Sequence, residues 1–145
     1  MKSTISTIAL ATIVAIASLS QAHAQTQASR VSVPFAFECG GTSFAPGTYI
    51  FSKTDGDHLS LRTNQNMSIV LASVGHVLSA PARGYVTFNK YGNRYFLAEY
   101  HPSNSGTEID LPRSKKERIV ARDYAMNSAE PGRVQLALND SDWLR

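Results

Sequence analysis

The residues of this chain best suited to nucleophilic or metal chemistry are one cysteine and the three histidines that follow residue 24. The histidines show none of the spacings H-x-H, H-x-x-x-H or H-E-x-x-H that place two ligands on one strand or helix. The sequence contains no G-x-S-x-G motif and no glycine-rich phosphate loop. The pattern therefore predicts a protein that is not an enzyme, with no catalytic residue, no metal ligand and no cofactor.

One enzymatic hypothesis stays open, because residues distant in sequence can meet in a folded chain. It is a hydrolase or metal-dependent enzyme built from Cys39, His58, His76, His101 and a carboxylate such as Asp57 or Glu99. That hypothesis requires two or more of the histidines to converge in a concave pocket.

Cys39 has two interpretations. It has the same parity as Val33 and Phe37 in an alternating segment, which favours a buried, structural thiol. The Gly40-Gly41 pair that follows could instead expose it as a reactive thiol, and no second cysteine is available for an internal disulfide. An exposed Cys39 would favour a disulfide-linked dimer.

Tyrosines supply the first candidate binding surface. If the strands around them face water on one side, an outer face carries Tyr85, Tyr91 and Tyr95. Such a face could stack on a carbohydrate, whereas the alternative is aromatic pairing across strands that only stabilises the sheet.

Basic residues supply the second candidate surface. The segment 113–122 contains Lys115, Lys116, Arg118 and Arg122, interrupted by Glu117. These cations could bind an anionic polysaccharide or lipid headgroups, whereas the alternative is the solvated face of a helix.

A central β-hairpin is predicted over Gly84–His101, with its turn at Gly92-Asn93. A loop of two residues would pair Tyr91 with Arg94, and a loop of three would pair Tyr91 with Tyr95. The longer loop places a cleaner apolar set on one face: Val86, Phe88, Phe96, Ala98 and Tyr100. Since a slip of one residue reverses every side chain, the sequence favours the three-residue loop. Phe88 and Phe96 are expected in the core.

The first 24 residues have the features of a secretory signal peptide. Lys2 precedes an apolar run, and Ala22-His23-Ala24 matches an A-x-A cleavage site. The apolar run is short for a membrane span, and no stop-transfer segment follows. The chain is therefore expected to be exported to the periplasm or medium and cleaved after Ala24.

The rest of the chain predicts one mainly β domain. Of the 145 residues, removal of the 24-residue leader leaves 121, enough for a single core. A flexible tail is expected at 25–30, the domain at 31–139 and a second tail at 140–145. About seven short strands predict a small antiparallel barrel or sandwich.

One helix is predicted at about 114–124. Ser114-Lys115-Lys116-Glu117 matches the S-x-x-E capping box, in which each side chain satisfies a backbone donor of the other residue. Ile119, Val120 and Tyr124 are expected to form its apolar stripe.

Four short motifs occur in order along the mature chain. They are V-P-F-x-F at 33–37, P-G-x-Y at 46–49, Y-G-x-x-Y-F-L at 91–97 and an S-K-x-E motif at 114–117. In this order they resemble an uncharacterised family of small bacterial proteins with signal peptides. The resemblance implies export and a single β-rich domain, and it implies no activity, cofactor or catalytic residue.

The partner is not identified by the sequence. Loss of Lys2 with the leader lowers the net charge from +3 to +2, which argues against nucleic acid as a partner. Pro34 lacks a donor N–H and marks an edge strand or a bulge, so self-association through that edge or through Cys39 is open. The leading hypothesis is a non-enzymatic exported protein that acts by binding or self-association. A β-barrel holding a small apolar ligand or a carbohydrate is the other alternative to the enzyme.

Overall fold

The computed structural model describes residues 28–54, 58–63, 66–76, 79–127 and 130–139. The predicted signal peptide and the predicted tail at 140–145 lie outside these ranges. Part of the other predicted tail is ordered instead, because Ala28 already pairs with Ser52. Residues 28–30, which were assigned to that tail, are therefore part of the first strand.

Eleven strands and one helix make up the described part of the chain. The strands are β1 (Ala28–Val33), β2 (Phe37–Cys39), β3 (Thr42–Phe44), β4 (Gly47–Thr54), β5 (His58–Arg62), β6 (Met67–Leu71), β7 (Ser73–His76), β8 (Tyr85–Tyr91), β9 (Arg94–His101), β10 (Thr107–Asp110) and β11 (Gly132–Ala137). The helix α1 spans Lys115–Met126.

Two sheets form a sandwich, one of the two predicted architectures. The first sheet has the order β1-β4-β5-β6, and the second has the order β11-β8-β9-β10-β7, with β2 joining β9 and β3. All of these pairs are antiparallel except β2 with β9, which pair in parallel. The core lies between the sheets, where Phe51 stacks on Tyr100 and Phe37 meets both Tyr49 and Phe88 edge-on.

The estimate of about seven strands was too low. The alternating segment that contains Val33, Phe37 and Cys39 is not one strand, because it breaks after Val33, where Pro34 cannot donate to a ladder. The nearly continuous apolar segment 67–74 also divides, because the chain crosses from the first sheet to the second at Ala72. The other two additional strands, β3 and β10, are only three and four residues long and carry little periodicity.

The predicted hairpin exists, but the predicted three-residue loop is wrong. Tyr91 pairs with Arg94 across a two-residue turn, in which Gly92 has a positive φ of 62°. A β-bulge between Thr87 and Phe88 then shifts the register by one residue. Beyond the bulge Val86 pairs with Tyr100, as the longer loop would require.

The bulge reconciles the apolar patterns of the two registers. It lets Phe88 pair with Leu97 while Val86 pairs with Tyr100, and all four side chains are buried. Phe96 is buried as expected, but on the opposite face of the sheet, against Tyr91.

Helix α1 begins at the predicted cap. The Ser114 hydroxyl accepts a hydrogen bond from the Glu117 backbone N–H at 3.1 Å. The Glu117 side chain turns inward instead and accepts from Asn89 Nδ2 at 2.9 Å. Val120 and Tyr124 are half-buried against the sheet, whereas Ile119, predicted to pack with them, is 44% exposed.

A membrane-spanning helix is not found within the described ranges: no helix there has the length and apolarity to cross a bilayer.

Candidate functional site

An open groove of about 700 Å³ lies beside the first turn of helix α1. We call it the helix groove. Its walls come from the β2–β3 turn, strand β6, the segment before the helix and the helix itself: Gly40, Gly41, Thr42, Ser68, Val70, Leu111, Pro112, Arg113, Ser114, Lys115, Lys116 and Ile119. Its volume is within the range of about 300–1,000 Å³ that is usual for small-molecule sites.

The lining of the helix groove includes both apolar and cationic side chains. Val70, Leu111 and Ile119 contribute apolar side chains, and the exposure of Ile119 is explained by its position in the groove wall. Arg113 and Lys115 are exposed beside the positive end of the helix. This combination suits a ligand with an apolar body and an anionic group.

The basic segment predicted from the sequence divides in the structure. Lys115 and Lys116 line the helix groove, whereas Arg118 and Arg122 are exposed outside its wall, and Arg122 pairs with the neighbouring Asp123. Lys116 Nζ lies 2.8 Å from Glu38 Oε2, so part of its charge is balanced within the protein. The four cations therefore do not form one continuous binding surface.

A second groove, of about 920 Å³, meets the helix groove at Thr42 and Ser68. It runs along β3 and β4 toward the start of β6, where Met67 is 64% exposed. Its apolar lining includes Phe44 and Ile50. The two grooves share Thr42 and Ser68 as lining residues, and the lining of the second groove is polar as well as apolar.

The predicted tyrosine surface is not formed. Tyr91 is buried under helix α1, where it contacts Tyr124 and lies 3.4 Å from Glu117 Oε1. Burial, and then the negative charge of Glu117, raise the pKa of the Tyr91 hydroxyl. Tyr95 lies on the other face, where its ring stacks on Phe35 at 3.9 Å between centroids. Aromatic packing, the structural alternative, accounts for both residues.

Tyr85, the third tyrosine of that prediction, contacts a cluster of polar side chains. Its ring stacks on His101 with 4.3 Å between centroids. His101 Nε2 lies 3.2 Å from Glu108 Oε1 and 3.9 Å from Glu99 Oε2. We call Glu99, His101 and Glu108 the acidic histidine cluster. Burial, and then the charges of Glu108 and Glu99, raise the pKa of the Tyr85 hydroxyl.

The convergence of two histidines that the enzymatic hypothesis requires is not seen among the side chains that the structure describes. His101 and Glu99 come together, but His58 is exposed at the start of β5 in the other sheet. Asp57 and the side chain of His76 lie outside what the structure describes. Cys39 is buried, and this burial raises its thiol pKa to about 12, with a smaller contribution from Glu117.

The edge predicted from Pro34 is partly covered. Pro34 is exposed just after β1, which is the edge strand of the first sheet. The Arg30 carbonyl accepts from the Asn139 backbone N–H at 2.8 Å, so the segment after β11 occupies part of that edge.

Comparison with known proteins gives no relative for this chain: no family model, no curated protein and no solved structure matches it. The resemblance to a family of exported bacterial proteins therefore stays a prediction.

Sequence reasoning missed two features of these sites. Glu108 lies on a four-residue strand, and only the order of strands in the sheet brings it to His101. The helix groove depends on Val70 and Leu111, which are 41 residues apart in the sequence. A usable sequence signal was the S-x-x-E cap, which places Lys115 at the positive end of a helix.

Proposed function

We propose that this protein is an exported, non-enzymatic binding protein that holds a small anionic amphiphile in the helix groove. The single observation that carries the proposal is the presence of apolar and cationic side chains together in the lining of one open groove of about 700 Å³. The burial of Cys39, which raises the pKa of its thiol, argues against a cysteine nucleophile.

The anionic group of the ligand is assigned to the rim. Lys115 is exposed there, and Ser114 caps the helix so that the positive end of its dipole is presented to the groove. A carboxylate or phosphate at this end would be stabilised by the Lys115 cation and by the positive end of the helix dipole. Arg113 is the second cation on the same rim, 3.9 Å from Glu117 and more than half exposed.

The apolar body of the ligand is assigned to the wall formed by Val70, Leu111 and Ile119. Covering Ile119 removes apolar surface from water, and each buried methylene of a ligand contributes about 0.8 kcal/mol. A chain too long for this groove has the second groove as its continuation, past Thr42 and Ser68.

Export is supported by the leader-like segment that ends at Ala24 and by the order of the four short motifs. An exported binding protein meets free amphiphiles outside the cytoplasm. Sequencing the N-terminus of the protein recovered from its natural source would test this part: Gln25 is expected as the first residue, and Met1 would contradict it.

The binding proposal is tested by titration calorimetry with dodecanoate. We expect one ligand per chain and at least tenfold weaker binding of dodecanol, because the alcohol lacks the negative charge. Lys115→Glu should weaken dodecanoate binding at least tenfold, which corresponds to about 1.4 kcal/mol.

Arg118→Glu is the matched control, because it makes the same charge change on the same helix outside the groove wall. It should leave dodecanoate affinity within about twofold, since exposed distant charges interact weakly. Equal losses in Lys115→Glu and Arg118→Glu, or equal binding of dodecanol, would contradict the assignment. Native mass spectrometry of the naturally exported protein would then identify the ligand it retains.

A further inference from the structure

The acidic histidine cluster lies at the far end of the second sheet from helix α1. Glu99 and His101 are two residues apart on β9 and therefore share a face. Ile109 of β10 pairs with Tyr100, so Glu108 is placed next to His101 on the adjoining strand. Three side chains from two strands thus converge on one point.

The distances within the cluster suit coordination of one ion. One nitrogen or oxygen atom from each residue lies within 4.8 Å of the other two, and His101 Nε2 is 3.2 Å from Glu108 Oε1. Around tetrahedral zinc, with bonds of about 2.0–2.2 Å, neighbouring ligand atoms are separated by roughly 3.3 Å. Glu99 Oε2, which is 3.9 Å from Nε2, must move closer to His101.

Burial gives a second, independent observation. The His101 side chain is 5% exposed, and its Nδ1 has no hydrogen-bond partner among the residues that the structure describes. Thr87 pairs with Glu99 across the two strands. Its hydroxyl is also buried and has no hydrogen-bond partner among the described residues. Buried polar groups are normally satisfied. The described residues therefore leave polar atoms around His101 unsatisfied.

The charges around His101 favour a cation. Glu99 and Glu108 place two carboxylates at its Nε2, and Arg133 pairs with Glu99 through the other oxygen, Oε1. One cation therefore faces two anions, which leaves net negative charge beside a buried imidazole. The Arg133 contact also orients Glu99 so that Oε2 faces His101, as outer contacts commonly do for metal ligands.

We propose that Glu99, His101 and Glu108 form a binding site for a divalent transition metal, with Zn²⁺ as the ion that fits best. One imidazole nitrogen with two carboxylate oxygens is a zinc-type ligand set, whereas Mg²⁺ and Ca²⁺ favour oxygen alone. His101 would coordinate through Nε2. Three protein ligands leave a fourth position open to solvent or to a ligand of the ion. This site is separate from the helix groove and does not depend on the function proposed for it.

The expected affinity is moderate. Histidine ligands usually donate their other ring N–H to a partner, and loss of such a partner weakens metal binding about 10-fold to 100-fold. Because His101 Nδ1 has no such partner among the described residues, we expect a Kd on the order of micromolar rather than nanomolar.

Titration calorimetry of the untagged protein with Zn²⁺ tests the site. We expect one Zn²⁺ per chain, with no comparable binding of Mg²⁺. Glu108→Gln should weaken Zn²⁺ binding at least tenfold, and this variant should fold because the Glu108 side chain is 27% exposed. Bound Co²⁺ should show the strong visible absorption of a low-coordinate ion.

Asp123→Asn and His58→Gln are the matched controls, because each removes a similar group from an exposed position away from the cluster. Both should bind Zn²⁺ within about twofold of the unmodified protein. The proposal is overturned if Zn²⁺ binding is not saturable below about 1 mM. It is equally overturned if Glu108→Gln loses no more affinity than Asp123→Asn. A negative result would leave dodecanoate binding in the helix groove unaffected.

Discussion

Glu117 Oε1 accepts a hydrogen bond from Asn89 Nδ2 at 2.9 Å, which ties helix α1 to strand β8. The Glu117 side chain is only 5% exposed, and the Tyr91 hydroxyl and Arg113 Nε also approach it, at 3.4 and 3.9 Å. A capping-box residue has thus become the polar centre of the helix–sheet interface. The position of the helix groove depends on this contact, because it fixes the first turn of α1.

Replacing Glu117 with alanine should destabilise the protein by about 1–3 kcal/mol, since Asn89 Nδ2 would lose its acceptor in a partly buried site. Glu117→Gln keeps an acceptor oxygen and should lose less. Urea unfolding followed by circular dichroism measures both. Equal destabilisation of the two variants would show that the Asn89 contact does not hold the helix.

Cys39 should react with a thiol reagent only as fast as the protein unfolds. Its side chain is buried, and burial raises the thiol pKa to about 12, so almost no thiolate is present near neutral pH. The release of a chromophore from a disulfide reagent, with and without urea, measures the rate. Immediate reaction in native buffer, or a dominant dimer band on non-reducing electrophoresis, would contradict burial.

The free energy of unfolding should decrease at low pH because Glu38 becomes protonated. Burial alone would raise the pKa of this carboxyl, but hydrogen bonds from Lys116 and Arg94 outweigh it and hold the pKa below the ordinary value of 4.5. Because the folded state binds the proton less readily than the unfolded state, this contribution is present above about pH 4.5 and is lost as the pH falls below it.

The Glu38 contribution is measured by comparing Glu38→Gln with the unmodified protein at pH 7 and at pH 3. Arg94 and Lys116 are partly exposed, so we expect a difference of no more than about 1 kcal/mol at pH 7 and a smaller one at pH 3. A difference that grows at the lower pH would have the wrong sign for this account.

Gly84→Ala should destabilise the protein, because there is no room for a Cβ at this position. A Cβ on Gly84 would lie 2.5 Å from the His101 carbonyl oxygen and 2.6 Å from both Leu138 Cδ1 and the Ser103 nitrogen. Two of these are backbone atoms, so the chain must shift, at a cost of about 1–3 kcal/mol.

Gly75→Ala is the control for Gly84, since its Cβ would come no closer than 3.9 Å to another atom. Thermal unfolding should show a lower Tm for Gly84→Ala and little change for Gly75→Ala. Similar Tm values for both variants would mean that the segment after His101 is free to move.

Local pattern was sufficient for the features that depend on neighbours along the chain. The alternation of Val31, Val33, Phe35, Phe37 and Cys39 predicted one apolar face, and the structure buries all of these side chains except Phe35, which is half-buried. Ser114 was predicted as a helix cap and is one. Alternating burial along a strand and helix capping both involve residues a few positions apart. Both features can therefore be predicted from the sequence.

The register of the hairpin could not be predicted from local pattern alone. The apolar set favoured one register throughout, whereas the structure uses two and joins them with a bulge beside Phe88. Packing of Val86 and Tyr100 against the first sheet, together with the tight turn at Gly92, decides this outcome. Neither constraint is visible from the alternation of β8 and β9 alone.

Only the tertiary structure decided which chemical groups meet. His101 and Glu99 were considered among many combinations, but Glu108 joins them because β10 is placed beside β9. Ile119 is exposed because Glu117, rather than an apolar residue, docks the first turns of α1. The order of the strands and the rotation of the helix are set by the free energy of burying the whole core. This free energy depends on contacts between residues that are distant in sequence, so it cannot be predicted from spacing along the chain.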